Sequence, residues 1–285
     1  MKIGLRIPGT ARQMPFQDFC TWCKENGFDG VDLGGPDPNA VQTVRQAGLE
    51  VGTVDIHSLG GFFGSDADAE KALADSKAFI DVATSLGCFK YFVVLMPPDG
   101  SKGRAANFER LKETFAPLLQ YAEEKGVRIG MEGYPGGPPH YAALGVTPEM
   151  LRAIFKAFPS PALGINYDPS HLIRIGVDYI RFLEEFGERV IHCHGKDTVF
   201  DQEAMYLHGS LGKTFGRTKG FGEDWWRYCI PGEGLADWAK IGAILDAKGF
   251  DGMVSVELED FRYWKTWEKE SLGLLRAKEH LRKYL

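Results

Sequence analysis

The chain has 285 residues, 44% of them hydrophobic, so it is long enough to bury a large core. Its formal net charge of -6 and sequence pI near 5.7 argue against a nucleic-acid or anionic-membrane partner, since either needs a concentrated positive surface. Its five cysteines are scattered and odd in number, which is not the pattern of a disulfide scaffold.

The amino-terminal segment, residues 1–6, is strand-like rather than an apolar signal region. No run of apolar residues reaches the length of a membrane span. We therefore expect a cytoplasmic protein with no membrane partner.

Strand and helix patterns alternate along the whole chain. Strands are predicted at 3–7, 30–33, 50–56 and 91–96, and four more end at Glu132, Asp168, His194 or Lys196, and Glu257. Helices are predicted at 16–26, 38–47, 66–86, 107–125, 148–158, 173–186, 236–248 and 264–284. Eight alternations of this kind predict an α/β fold, a single (β/α)8 TIM barrel that spans residues 1–285 as one domain.

A long connection at about 198–235 interrupts the alternation after the seventh strand. A structureless insertion of this size is typical of a lid or a binding loop. It is rich in glycine and in aromatic residues, which are Phe215, Phe221, Trp225, Trp226 and Tyr228. Flat apolar side chains of this kind cover sugar rings or contact a partner subunit, in a homo-oligomer or with a different chain, and the sequence leaves both uses open.

Four consecutive strands end in ligand-type side chains. Because side chains alternate faces along a strand, Glu132, Asp168, His194 and Glu257 all fall on the same, inward-facing parity. The opposite, helix-facing parity carries Ile129, Met131, Leu163, Ile165, Ile191, Cys193, Val254 and Val256. The carboxyl ends of barrel strands form the active-site face, so the four polar side chains are expected to converge there.

Any one of these acids could cap a helix or pair with an arginine, but four on successive strands point to a shared cation. Three carboxylates and one imidazole form an oxygen-rich donor set. We predict one divalent metal ion held by Glu132, Asp168, His194 and Glu257, with Mn²⁺ first and Mg²⁺, Co²⁺ or Zn²⁺ as alternatives.

Four protein ligands leave two positions of a six-coordinate ion for neighbouring oxygens of a hydroxy-ketone or hydroxy-aldehyde. Such an ion polarises the carbonyl and stabilises the charge that forms when the adjacent carbon loses its proton. Glu132 and Glu257 are predicted to be the catalytic acid-base pair, one removing the proton and the other returning it on the opposite face.

Several further side chains have two interpretations each. Lys196 either stabilises developing negative charge on the substrate or pairs with Asp197. His57, just past the third strand, either contacts the substrate or faces solvent. Glu259 either replaces Glu257 as a ligand or bonds to a neighbour of the ligands. His192 is read as a core histidine or a partner of a ligand, and Tyr134 and His140 are candidates to line the mouth.

Four motifs resemble those of the xylose isomerase-like sugar phosphate isomerase/epimerase superfamily, which includes the ketose 3-epimerases. They are Asp168-Pro169-Ser170-His171, His194-Gly195-Lys196-Asp197, Pro231-Gly232-Glu233-Gly234 with Asp237-Trp238, and Ser255-Val256-Glu257-Leu258-Glu259-Asp260. Residues 1–7 and 27–31 fit the same pattern, so the resemblance covers essentially the whole chain.

The resemblance implies the metal ligands Glu132, Asp168, His194 and Glu257, and it makes His171 a substrate-binding residue. The ketose epimerases carry an arginine beyond the metal-binding histidine, where Lys196 and Asp197 stand here, and this insertion is longer than theirs. Both departures leave the metal ligands unchanged and concern which substrate the site binds. Relatives with a His-small-Lys-Asp motif include proteins that act on oxidised glycosides.

We therefore predict a metal-dependent isomerase or epimerase that abstracts a proton next to the carbonyl of a keto-sugar or keto-glycoside. The alternative is a lyase that cleaves C-glycosides or other 3-keto-glycosides with the same metal site. A DNA-repair endonuclease would need more histidine ligands and a basic groove, and a non-catalytic sugar-binding barrel would not need the acid-base pair.

Overall fold

All eight predicted barrel strands are present, and two further strands lie in the insertion, so the last barrel strand is β10. The computed structural model describes residues 1–57, 59–137, 141–216, 222 and 224–285; His140, Phe221 and several neighbours of Phe221 in the predicted insertion lie outside them. The barrel strands are β1 (Lys2–Arg6), β2 (Gly30–Leu33), β3 (Glu50–Asp55), β4 (Lys90–Val94), β5 (Arg128–Glu132), β6 (Leu163–Tyr167), β7 (Val190–Gly195) and β10 (Met253–Val256). Neighbouring strands in this order pair in parallel, and the pairing of β10 with β1 closes the barrel. The predicted (β/α)8 TIM barrel is confirmed.

The helices surround the barrel. They are α1 (Phe16–Glu25), α2 (Pro38–Gln46), α3 (Asp66–Ser85), α4 (Arg104–Thr114), α5 (Ala116–Glu124), α6 (Pro148–Ala157), α7 (Pro169–Arg174), α8 (Tyr179–Phe186), α9 (Gln202–His208), α10 (Trp238–Ala247) and α11 (Trp267–Leu281). Two predicted helices are split. Pro117, in the first turn of α5, has no amide hydrogen to continue α4. Gly176, at φ 75°, ends the turn after α7, and Asp178 caps α8 separately.

The insertion after β7 has secondary structure of its own, so the expectation of a structureless segment is wrong. Strands β8 (Asp197–Phe200) and β9 (Trp226–Cys229) form an antiparallel pair, and α9 lies between them. Tyr206, Leu211 and Phe215 of this segment are exposed. Contact with a partner subunit through this segment stays a prediction.

Asp197 ties the two ends of the insertion together. Its Oδ1 accepts hydrogen bonds from the backbone amides of Thr198, at 2.7 Å, and Ala236, at 2.9 Å. A Cβ at Gly234 would lie 2.2 Å from the same oxygen, so the glycine is required for this approach. Gly234, the last glycine of the Pro231-Gly232-Glu233-Gly234 motif, therefore allows the chain to pass close to the Asp197 carboxylate.

Inside the barrel, below the carboxyl ends of the strands, glycines make room for two large side chains, Met253 and Ile191. Cβ atoms at Gly4 and Gly30 would collide with Met253, and Cβ atoms at Gly130 and Gly164 would contact Ile191. The prediction that Ile191 faces the helices is wrong, because the pairing of β6 and β7 shifts by one residue at this point and breaks the alternation.

All five cysteines are buried and free. Within the described residues, no helix combines the length and hydrophobicity needed to cross a bilayer.

Gly164→Ala tests the packing of this interior. The new Cβ would lie 2.7 Å from both the Arg189 carbonyl oxygen and Ile191 Cγ2, so we expect the free energy of unfolding to fall by about 1–3 kcal/mol. Gly100→Ala is the matched control, since a Cβ there meets no atom within 4 Å. Urea denaturation measures both variants, and equal stabilities would contradict the described packing.

Asp197 predicts a pH dependence of stability. Burial raises its pKa from 3.8 to about 6, although amide hydrogen bonds from Ala236 and Thr198 oppose the shift. Between these values the folded chain keeps a proton that the unfolded chain has lost, so stability falls as the pH rises. The Asp197→Asn variant cannot titrate there, and we expect the wild type to lose on the order of 3 kcal/mol relative to it between about pH 4 and pH 7. Urea denaturation at several pH values measures this difference, and a constant difference would refute the shift.

Candidate metal centre

Glu132, the last residue of β5, presents a fixed carboxylate to the barrel mouth. Its Oε1 accepts a hydrogen bond from Asn166 Nδ2 at 2.9 Å, and its Oε2 lies 3.5 Å from His171 Nε2. Burial disfavours the charged form, but the charge on His194 and hydrogen bonding from His171 hold the Glu132 pKa below its ordinary value. Glu132 is therefore ionised and buried.

Asp168, directly after β6, uses its two carboxylate oxygens for different purposes. Oδ1 caps α7, accepting hydrogen bonds from the Ser170 amide at 2.8 Å and the Ser170 hydroxyl at 2.6 Å. Pro169 follows at a position where no amide hydrogen is needed. Oδ2 lies 3.1 Å from Lys196 Nζ and 3.3 Å from His171 Nε2, without hydrogen-bond geometry to either. The Asp168-Pro169-Ser170-His171 motif thus leaves one oxygen directed at the centre.

His194 lies fully buried among the three carboxylates. Its Nδ1 is 2.6 Å from Glu132 Oε1, 3.3 Å from Glu257 Oε2 and 3.9 Å from Asp168 Oδ2. None of these contacts has hydrogen-bond geometry. A ring nitrogen and three carboxylate oxygens that crowd together without bonding to one another fit a common cation between them.

Glu257, directly after β10, lies between two cations. Its Oε2 accepts a hydrogen bond from Lys196 Nζ at 2.5 Å, and its Oε1 is 3.2 Å from Arg6 Nε. Arg6 is in turn fixed by Asp55, with nitrogen–oxygen distances of 3.0 and 2.6 Å. Burial disfavours ionisation of Glu257, but Lys196 and His194 hold its pKa well below the ordinary value.

The four side chains therefore form a candidate metal centre. One donor atom from each of Glu132, Asp168, His194 and Glu257 lies within 4.8 Å of all the others. Burial disfavours a charged His194, yet the Glu257 and Glu132 carboxylates raise its pKa to about 10. A cation bound by Nδ1 must displace that proton, so metal binding is coupled to proton release.

Lys196 is part of the same cluster. It is buried, and its Nζ also donates to Glu259 at 2.8 Å and lies 3.4 Å from His171 Nε2. Lys196 does not form the alternative ion pair with Asp197, because the Asp197 carboxylate accepts hydrogen bonds from the backbone amides at the two ends of the insertion. Glu259 contacts Lys196 rather than joining the four donors, in line with its interpretation as a neighbour of the ligands.

His171 and His57 differ in position. His171 is buried between Glu132, Asp168 and Lys196, beside the metal centre. His57 is exposed, and its Nε2 lies 2.7 Å from the carbonyl oxygen of Gly34. The described contacts of His57 do not reach the cluster, so its role in substrate binding stays a prediction.

Two residues near the centre were not singled out from the sequence, and a third, Tyr228, was named only as an aromatic residue of the insertion. Arg6 has the inward parity near the end of β1, a signal that could have found it. The Phe92 ring of β4 lies 4.6 Å from the Arg6 guanidinium and 5.2 Å from the His194 ring. Tyr228 of the insertion brings its hydroxyl within 2.7 Å of His171 Nδ1, which no local pattern could indicate.

His192, one inward step below His194, pairs with a buried acid. Its Nε2 lies 3.0 Å from Asp32 Oδ2, and Asp32 Oδ1 accepts a hydrogen bond from the Thr53 amide at 2.9 Å. Burial opposes the charge on Asp32, but His192 and Arg6 lower its pKa to about 2. His192 is therefore a core histidine with a partner, one of the interpretations offered above.

Two comparisons with known proteins bear on this arrangement. The model of the xylose isomerase-like TIM barrel family matches residues 20–281. The chain belongs to this family. An uncharacterised protein of Methanocaldococcus jannaschii is 27% identical over 63% of this chain. The matched part of this chain spans about half (48%) of that protein's length. An inosose dehydratase of Clostridium perfringens is 22% identical over 89% of this chain and 85% of its own.

Solved structures of two other proteins share the fold. A D-tagatose 3-epimerase-like protein superimposes with a TM-score of 0.68 and 21% identity over 100% of this chain and 97% of its own. The 3-keto-D-glucoside 4-epimerase of E. coli superimposes with a TM-score of 0.69 and 17% identity, each chain covered to 99%. At these identities the structural likenesses show the fold alone; two of the proteins compared are named for epimerases and one for a dehydratase.

His194→Ala tests the metal centre. Removing the only nitrogen donor of the four should lower the metal content from about one divalent ion per chain to near zero after dialysis. Added Mn²⁺ should raise the melting temperature of the wild type but not of this variant. Elemental analysis and thermal melts measure the two effects. His208→Ala, in α9, is the control, and full metal content in His194→Ala would exclude the imidazole as a ligand.

Proposed function

We propose that this protein is a divalent-metal-dependent enzyme that removes a proton next to the carbonyl of a keto-sugar or keto-glycoside and thereby isomerises or epimerises it. The observation that carries this proposal is the convergence of the Glu132, Asp168, Glu257 and His194 donor atoms, with the Asp168 oxygen and the His194 nitrogen buried and not hydrogen-bonded. Such a donor set fits Mn²⁺ first, with Mg²⁺, Co²⁺ and Zn²⁺ as alternatives.

When bound, a divalent cation supplies Lewis acidity that polarises the substrate carbonyl and stabilises negative charge on its oxygen. The protein residues supply the proton transfers. Glu132 is oriented by Asn166 and His171, and Glu257 by Lys196 and Arg6, so each carboxylate is held by its own set of neighbours. Glu132 accepts the proton from the carbon next to the carbonyl, and Glu257 returns to the opposite face a proton that it receives from the hydrogen-bonded Lys196 ammonium; exchange with solvent then restores Glu132 and Lys196.

His171 and Lys196 orient the substrate in this proposal. His171 Nε2 and Lys196 Nζ are 3.4 Å apart, and both contact Asp168 Oδ2, so a sugar oxygen at the centre lies within reach of both. A cavity of about 580 Å³ opens beside them, with Arg6, Glu257 and Glu259 in its wall. This volume suits a monosaccharide or one sugar of a glycoside.

An elimination reaction is the second candidate function, because the Lys196 ammonium is a proton donor beside the acid-base pair. After the same proton abstraction, a hydroxyl or glycosidic oxygen on the next carbon could leave as it receives a proton, and the buried Lys196 ammonium could supply that proton. The Clostridium perfringens relative is named an inosose dehydratase, and a dehydration is a reaction of this kind.

Glu132→Gln and Glu257→Gln test the acid-base pair. With Mn²⁺ in excess, each variant should lose at least about 100-fold in the exchange of the substrate's α-proton for deuterium, because general base catalysis contributes this much. NMR in deuterated buffer, with fructose and methyl 3-keto-glucoside as substrates, measures the exchange.

Glu50→Gln is the matched control, since the exposed Glu50 pairs with the exposed Lys2 away from the centre and its loss should leave exchange unchanged. Undiminished exchange in either active-site variant would remove that residue from the pair. The same spectra separate the two reactions, since an epimerase gives one isomeric product and an elimination gives an unsaturated product or two fragments.

A further inference from the structure

A second cavity lies between the insertion and the barrel, next to the metal centre. Its volume is about 830 Å³. The loop after β5 contributes Tyr141, the end of α7 contributes Arg174, and the insertion contributes Phe200, Leu211 and Trp225 to the wall. The four metal-centre donors are not part of this lining, so the cavity is distinct from the one that opens on Glu257.

Aromatic faces form one side of this cavity. The Phe200 and Trp225 rings lie 5.5 Å apart and are tilted by 33°. Tyr141 has a positive φ of 44°, a conformation that non-glycine residues rarely adopt and that is concentrated at functional sites. Flat rings held in this way pack against a flat apolar group.

Arg174 supplies a buried positive charge to the wall of this cavity. The residue is 7% exposed, and its guanidinium lies 4.1 Å over the Trp226 ring. It donates hydrogen bonds to the Tyr228 hydroxyl at 3.1 Å and to the Gly136 carbonyl at 2.9 Å. No carboxylate of the described part of the chain forms an ion pair with it. A buried cation with only neutral acceptors favours an anionic ligand oxygen.

The wall between this cavity and the metal centre is one layer of side chains thick. Tyr228 contacts Arg174 on the cavity side and His171 on the metal side, with the His171 Nδ1 to Tyr228 oxygen distance at 2.7 Å. The Tyr134 ring lies 5.2 Å from the His171 ring, and the next residue, Pro135, lines the cavity. The two sites are therefore neighbours, and a substrate with two halves would reach both by displacing side chains of this layer.

We propose that this cavity binds an aromatic group that carries an anionic oxygen, the aglycone of an aryl keto-glycoside whose sugar lies at the metal centre. Phe200 and Trp225 cover the ring, and Arg174 binds the carboxylate or phenolate, with Arg104 at the rim as a second cation. This inference rests on the proposed function, because it places the sugar at the metal centre. It narrows the substrate from keto-sugars in general to aryl glycosides.

The kinetic test compares two substrates, a 4-carboxyphenyl 3-keto-glucoside and methyl 3-keto-glucoside. We expect kcat/KM for the aryl substrate to exceed that for the methyl substrate at least tenfold in the wild type. Trp225→Ala and Arg174→Gln should lower this ratio at least tenfold. Phe215→Ala, an exposed aromatic of the same segment outside the cavity lining, should leave it unchanged. An unchanged ratio in Trp225→Ala would overturn the inference.

The binding test does not depend on turnover. Calorimetry with EDTA-treated protein measures binding of 4-hydroxybenzoate and of its neutral analogue 4-hydroxybenzyl alcohol. The acid should bind at least tenfold more tightly than the alcohol. Trp225→Ala and Arg104→Gln should each weaken binding of the acid. Arg104 is exposed, so its replacement removes no buried side chain. Equal affinities, or binding unaffected by both variants, would overturn the inference.

The two tests separate this inference from the proposed function. Tight binding of the acid with no turnover of any keto-sugar contradicts the proposed function and leaves the anion-binding cavity supported. Turnover of both substrates at equal efficiency contradicts the cavity assignment alone.

Discussion

The structure depends on one electrostatic constraint, the burial of several carboxylates together at the carboxyl ends of the barrel strands. Buried carboxylates repel one another and lose hydration, so they remain ionised only where positive charge compensates them. Lys196 and Arg6 contribute two cations, and His194 lies among the acids. A divalent cation would satisfy the donor atoms that these side chains leave without hydrogen bonds.

Several residues around the centre have two roles, and Asp168 is the clearest case. One of its oxygens caps α7, which fixes the carboxylate, and the other faces the centre. Asp197 holds the two ends of the insertion together directly beyond Lys196, and Tyr228 of the insertion reaches His171. The insertion therefore begins directly after one residue of the centre, Lys196, and contacts another, His171.

Much of this could be predicted from the sequence because strand alternation and parallel pairing are simple geometric rules. They place Glu132, Asp168, His194 and Glu257 on one face at one end of the barrel. The rule failed at Ile191, where a one-residue shift between β6 and β7 turns the side chain inward. Arg6 was within reach of the same rule.

The contacts of the insertion were beyond sequence reasoning. The pairing of β8 with β9 joins residues about thirty positions apart, with a helix between them, and the approach of Tyr228 to His171 depends on how the whole segment folds back. Helix breaks at Pro117 and Gly176 have local causes, but tertiary context decides whether a helix ends there or bends.

Anomalous diffraction from a crystal grown with Mn²⁺ tests the central claim most directly. We expect a single strong peak within coordination distance of Glu132, Asp168, His194 and Glu257, with Lys196 Nζ moved away from Asp168. No peak at that position, or a peak that lies instead beside Asp32 and His192, would contradict the account.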